Sequence, residues 1–113
     1  MTDLYVARTD YLIATTTTGS ETDAARLAED LVEARLAACV QISAPVRSVY
    51  RWQGEVHRES EWQLSIKTTV DHQDAIADWL REHHPYAVPE LVFLPITAGL
   101  PLYLDWIAEE TRS

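Results

Sequence analysis

Apolar and polar positions alternate with two different periods along this chain of 113 residues, and the order of these periods predicts its elements. Residues 11–17 are rich in β-branched and aromatic side chains with an apolar centre, as is typical of a buried strand. Gly19 ends that strand, and Ser20 is suited to cap a helix ending near residue 36 or 37. The positions of that helix that share one apolar stripe are Ala24, Leu27, Ala28, Leu31 and Val32.

The middle of the chain has the period of extended structure. A second strand is expected from Cys39, with an interruption at Pro45 because proline cannot donate to a central ladder. It resumes over residues 49–52, turns at 53–54, and is followed by a long strand over residues 56–69. The residues that alternate along this strand form one apolar and one polar face: Trp62, Leu64 and Ile66 against Gln63, Ser65 and Lys67.

The last third predicts two helices around one strand. Asp71 is expected to cap the first of these helices, and Pro85 to end it. A fourth strand is predicted over residues 90–97, where Pro95 favours either an edge position or a bulge. The residues expected on the inner faces of the two helices are Ile76, Trp79, Leu80 and His83, and then Leu102, Tyr103, Trp106 and Ile107.

This order of elements predicts an α+β fold, the ferredoxin-like βαββαβ sandwich with an additional C-terminal helix. Residues 1–9 show no period and are expected to be a lead-in, with residues 10–113 as a single domain. Tyr50, Trp52 and Trp62 on the long hairpin would form a large apolar patch on a monomer, so self-association is expected.

Charge and composition exclude several classes of function. The formal net charge is −9, and the Lys and Arg residues are scattered, which excludes nucleic acid and anionic membrane as partners. A single cysteine, no visible secretory signal and no apolar stretch of bilayer length predict a cytoplasmic protein. No glycine-rich phosphate loop or nucleophile motif is present, so we expect no enzymatic activity.

Several short blocks, in a fixed order, resemble the CutA family. They are residues 35–40 (RLAACV), 50–55 (YRWQGE), 66–68 (IKT), 84–86 (HPY) and 88–90 (VPE), followed by Tyr103 and Trp106. The resemblance implies a homotrimer built like the PII signalling proteins and a role in tolerance of copper and other divalent cations. A trimer also agrees with the hairpin, whose unpaired edges a neighbouring subunit would satisfy.

The resemblance also implies candidate copper ligands. The family's two histidines correspond to His83 and His84, while the cysteine at the end of its first strand corresponds to Thr16, a poor ligand for copper(I). Cys39 is the remaining soft ligand. The alternatives are that His83 packs on the core, that His84 caps the helix, and that Cys39 is a small buried hydrophobe.

The likeness to PII proteins further suggests clefts between subunits. The residues of the family blocks suited to line them are Trp52, Lys67, Tyr86, Glu90 and Trp106. Such a cleft would suit a small anionic or zwitterionic molecule, and the alternative is that these residues are anchors of the subunit interface. The leading hypothesis is thus a trimer acting in cation tolerance through weak copper binding. The second is a PII-like sensor or scaffold for a small molecule or partner protein.

Overall fold

The computed structural model of the chain describes the backbone of residues 6–7 and all of residues 10–112. The central body of the chain consists of the elements β2 (Tyr11–Thr18), α1 (Glu21–Glu33), β3 (Cys39–Ile42), β5 (Glu55–Thr69), α2 (Gln73–His83), β6 (Val92–Pro95) and α3 (Pro101–Glu110). Its strands form a sheet in the order β3–β5–β2–β6, and all pairings are antiparallel. This arrangement confirms the predicted ferredoxin-like fold.

A short pair of strands lies outside this sheet. β1 (Val6–Ala7) pairs antiparallel with β7 (Ala98–Gly99). The sequence shows no period at Val6 and Ala7 and did not predict this strand, because two residues carry no periodic signal. The rest of the lead-in expected over residues 1–9 lies outside the described residues, and the division into lead-in and domain stays a prediction.

The start of α1 is as predicted, but its end is not. The Ser20 side chain accepts a hydrogen bond of 3.1 Å from the Asp23 amide, as an N-cap does. The helix ends at Glu33, before residues 36–37, because Arg35 has a φ of 59°. The amide of Leu36 then reaches the carbonyl of Leu31 at 3.0 Å, which is the hydrogen bond of a Schellman motif.

The two faces of the sheet have separate cores. Ala14, Leu64 and Ile66 are fully buried beneath α1 and α2. On the opposite face, Tyr11 packs with Leu104 and Ile107 of α3. The expected inner face of α3 was partly wrong: Leu104 is buried, whereas Leu102, Tyr103 and Trp106 are exposed. Val32 of the predicted α1 stripe is also exposed.

The starting point of α2 differs from the expectation. Asp71 lies in a 3₁₀ turn, Val70–His72, and does not cap the helix, which begins at Gln73. Ile76 and Leu80 are buried as predicted, but His83 is exposed, so its placement on the inner face was wrong. β6 is shorter than expected and occupies the predicted edge.

A long hairpin extends from the body. β4 (Val46–Trp52) pairs only with the outer half of β5, from Glu55 to Glu61, and we call residues 46–61 the hairpin extension. The break at Pro45 and the turn at Gln53 and Gly54 are confirmed. Both turn residues have positive φ, 49° and 82°, as in a type I′ hairpin turn. The described chain therefore reaches 55 Å in its longest dimension.

Candidate functional site

The end of α2 carries the two histidines and holds one of them, His84, against β2. His84 is the C-cap residue and has an extended backbone, as expected before Pro85. Its Nε2 lies 2.8 Å from the Thr17 carbonyl oxygen, and its Nδ1 accepts the Tyr86 amide at 3.1 Å. Because a carbonyl can only accept, Nε2 carries the proton. The neutral ring therefore uses both nitrogens in hydrogen bonds, and only 7% of the residue is exposed.

His83 lies in a different environment. Its ring stacks on Trp79 with centroids 4.2 Å apart. The Nδ1 atom lies 2.8 Å from the Trp79 carbonyl oxygen, to which it donates. No hydrogen bond of Nε2 is found among the described residues, so this nitrogen keeps a lone pair on an exposed side chain. Of the two histidines, His83 is the one available to a cation.

The structure does not bring Cys39 to the histidines within one chain. Cys39 is half-buried and pairs across the sheet with Lys67, which in turn pairs with Ile13. His84 contacts β2 at Thr17, four residues further along. At about 3.3 Å per residue this separates them by roughly 13 Å along the strand alone. Cys39 and His84 cannot share an ion in this arrangement.

Thr16 occupies the position that corresponds to the family's cysteine. The hydroxyl of Thr16 is fully buried and has no hydrogen-bond partner among the described residues. A neutral hydroxyl is a weak ligand for copper. Within residues 10–112, no group of three or more His, Cys, Asp or Glu side chains is arranged to hold a metal. The copper site implied by the resemblance therefore does not fit this chain as a closed centre.

The predicted cleft residues occupy three separate places. Lys67 lies over the ring of Tyr103, 5.5 Å from its centroid, and Tyr103 stacks on Trp106 at 5.6 Å. Glu90 accepts a hydrogen bond of 3.2 Å from the Thr15 hydroxyl. Lys67 pairs with Ile13, which is two residues from Thr15 on β2 and therefore points to the same face. Because Glu90 is bonded to Thr15, Lys67 and Glu90 lie on the same side of the sheet. Trp52 stands at the far end of the hairpin extension.

Tyr86 belongs to the histidine region. Its hydroxyl donates to Glu61 at 2.8 Å, and Glu61 is only 8% exposed. Burial, and then the bond to Glu61, raise the pKa of Tyr86. A Cβ added at Gly19 would lie 3.1 Å from the Tyr86 hydroxyl oxygen, so glycine leaves room for this contact.

Sequence reasoning missed Glu61 and Thr17. Glu61 falls on the polar face of an alternating strand, where a carboxylate is ordinary. Thr17 contributes only its backbone carbonyl, which no side-chain pattern reports.

The face of the hairpin extension that carries Glu61 also carries Tyr50, which stacks on His57 at 5.3 Å and hydrogen-bonds to Glu59. That hydrogen bond is the main cause that raises the pKa of Tyr50.

The comparisons with known proteins agree with this fold. The model of the family described as CutA1 divalent ion tolerance protein matches residues 12–110. This chain belongs to the CutA1 family. A divalent-cation tolerance protein CutA of Thermus thermophilus is 47% identical over 95 residues, which are 84% of this chain and 92% of that protein.

Solved structures of CutA from Synechococcus elongatus match as well. One has a TM-score of 0.92 at 44% identity and covers 96% of both chains. Another, complexed with Bis-Tris, has a TM-score of 0.87 at 42% identity and covers 94% of this chain and 98% of that one. Family membership makes this chain a divalent-cation tolerance protein of the CutA1 type. Within the described residues, no helix has the length and apolar character needed to cross a membrane.

Proposed function

We propose that this protein acts in divalent-cation tolerance as a cytoplasmic homotrimer that binds copper, or another divalent cation, weakly at its surface and catalyses no reaction. Membership of the family supports the tolerance role. The scattered cationic residues and net charge of −9 support the expectation that neither nucleic acid nor an anionic membrane is a partner. The copper-binding mode and the trimer are supported by separate observations.

The feature that supports a trimer is the hairpin extension. Its two strands pair only with each other over this length, so each leaves an outer edge open among the described residues. Val49 and Val56 there are 60% and 45% exposed. A two-stranded ribbon with exposed apolar side chains is marginal in water. Pairing with neighbouring subunits would bury these side chains and satisfy both edges.

The trimer is tested by light scattering coupled to gel filtration over a hundredfold range of concentration. A mass of three chains is expected, from 12.8 kDa for one chain. A monomer that persists at micromolar concentration would refute the trimer and leave the hairpin extension without its proposed partner.

The observation behind weak copper binding is the open Nε2 of His83 on an acidic protein. One imidazole without further protein ligands binds copper weakly, since tight sites need several donors in a fixed geometry. The negative field of the chain raises the local concentration of cations, an effect that salt screens.

Calorimetric titration with copper(II) tests this assignment. The His83→Ala variant is expected to lose most of the measured heat, whereas His72→Ala serves as the matched control and keeps it. Removal of copper by a chelator should leave the fold unchanged, because the described residues contain no closed metal site that would stabilise it. Equal binding by His83→Ala and the unmodified protein would refute His83 as the contact.

A second function, a PII-like sensor or scaffold, is favoured by one observation. Lys67, Glu90 and the Tyr103–Trp106 pair bring a cation, a carboxylate and aromatic rings to one sheet face. This combination suits a small anionic or zwitterionic molecule, and a related CutA has been solved in complex with Bis-Tris. A thermal-shift screen of carboxylates and amino acids tests it. A shift that Lys67→Ala abolishes, without one from copper, would favour this function over the first.

A further inference from the structure

We infer that His84, Tyr86 and Glu61 form a latch that fastens the base of the hairpin extension to the end of α2 and to β2. The latch lies within one chain and is separate from the contacts of the proposed trimer and from the weak contact with copper at His83. It also gives His84 a structural role in place of the role of copper ligand that the resemblance implied.

The first part of the latch is the buried ring of His84. It bridges the Thr17 carbonyl of β2 and the Tyr86 amide, at 2.8 and 3.1 Å. A metal at either ring nitrogen would replace one of these bonds and leave the buried Thr17 carbonyl or the part-buried Tyr86 amide without this partner, which is costly. His84 can therefore serve as a latch or as a ligand, but not as both.

The second part is the side chain of Tyr86. Its ring meets the His84 ring edge-on, with centroids 4.8 Å apart, which fixes the direction of the phenol. The hydroxyl then donates to the Glu61 carboxylate at 2.8 Å. Because Glu61 is only 8% exposed, its charge needs a donor close by, and Tyr86 supplies one.

The position of Glu61 gives the latch its effect. Trp62 of β5 is the last residue that pairs with β2, opposite Thr18, and Glu61 already pairs with Val46 of β4. Glu61 is therefore the first residue of β5 that has left the central sheet. At that point the hydrogen bond from the Tyr86 hydroxyl to Glu61 joins the hairpin extension to the segment that follows α2.

Peptide-resolved hydrogen–deuterium exchange of the full chain tests the latch. In Tyr86→Phe, amides of residues 57–61 and of residues 86–91 are expected to exchange about tenfold faster, since a hydrogen bond to a buried carboxylate is lost. Tyr103→Phe removes a hydroxyl from another stacked tyrosine and is the matched control, with exchange of both segments unchanged. Acceleration confined to residues 86–91 would overturn the inference, and so would no acceleration.

Variants of Glu61 keep the test decisive if Tyr86→Phe loosens the whole chain. Glu61→Gln retains an oxygen that can accept the hydrogen bond of the Tyr86 hydroxyl, so slow exchange at residues 86–91 should be preserved. Glu61→Ala removes this acceptor and should accelerate exchange there. Equal exchange in these two variants would overturn the latch. Light scattering of the same samples reports the trimer separately, so a failure of the proposed assembly is distinguishable from a failure of the latch.

Discussion

The two halves of β5 differ in pattern and in surroundings: residues 62–67 alternate apolar and polar side chains, whereas Val56 is the one apolar residue of 55–61. The inner half lies between β2 and β3, and Leu64 there is fully buried beneath the helices. The outer half pairs only with β4, and Val56 there is 45% exposed. The apolar alternation of residues 62–67 therefore predicts a buried face, and its absence over residues 55–61 agrees with a half that the other elements of this chain leave largely uncovered.

The difference has an energetic consequence. Burial of a leucine side chain stabilises the body by about 2–3 kcal/mol, and several such residues share one core. The outer half buries little within one chain, and a lone hairpin is at best marginally stable. The body can therefore be ordered by its own core, whereas the extension depends on the latch and, if the proposed trimer forms, on its neighbours.

The largest expected effect comes from truncating the inner half. Leu64→Ala should lower the free energy of unfolding by about 3 kcal/mol, because it leaves a cavity between sheet and helices. Val56→Ala removes two methyl groups from a side chain that is half-exposed within one chain and that only a neighbouring subunit would cover, so it should cost less, about 1 kcal/mol. Urea unfolding followed by circular dichroism measures both.

All samples in that experiment need one protein concentration, because assembly shifts apparent stability. Equal costs for the two substitutions would break the comparison, since they would show that the outer half is buried as deeply as the inner half in the protein as it exists in solution.

Much of the fold could be predicted from side-chain periods, because a large buried face leaves a repeated signal. The break at Pro45 and the cap at Ser20 were also predictable from local chemistry. The end of α1 was not, because it depends on Arg35, a residue other than glycine, in a left-handed conformation. The two-residue strand β1 is set by a partner far along the chain, which no local pattern reports.

The candidate site was predictable in place but not in role. The resemblance grouped the histidines at the end of α2 with the Thr16 position near the end of β2, and the bond from His84 to Thr17 shows that these two ends meet. It did not show that backbone groups use both ring nitrogens. Hydrogen bonds to backbone atoms leave no trace in residue types, so a structural histidine and a ligand look alike in sequence.

A second prediction concerns assembly through the outer half. Val49→Asp places a charge on the most exposed valine of the hairpin extension and should weaken subunit association at least tenfold, since burying an unpaired charge is costly. Val32→Asp changes an exposed valine of the body and should leave association unchanged. Sedimentation over a range of concentrations measures both, with circular dichroism to confirm that the helices persist.

Identical association of these two variants would show that the subunits meet through the body, and the outer half would then lack the role proposed for it. Weaker association of Val49→Asp alone would sharpen the comparison, because one strand would then serve the core with one half and assembly with the other.

The smallest expected effect lies at the tip of the hairpin extension. Gln53 occupies a left-handed conformation, with φ of 49°, in a turn that favours Asn before Gly54. Gln53→Asn should raise the free energy of unfolding by about 0.5 kcal/mol, a fraction of the cost of placing an ordinary side chain in this region. Thermal denaturation of the two proteins at one concentration measures it.

This small effect tests whether the two halves of β5 unfold together. Strain in the turn at residues 53–54 affects the midpoint of thermal unfolding only if the tip of the hairpin extension stays ordered until the body unfolds. Arg35→Asn is the matched change in the body, and there the relief of strain at φ of 59° is offset by loss of the bond from the guanidinium to the Glu110 carbonyl. A raised midpoint for Gln53→Asn alone would therefore mean that the extension and the body form one cooperative unit. An unchanged midpoint would mean that the extension loosens before the core does, and that its order is held separately from the body's.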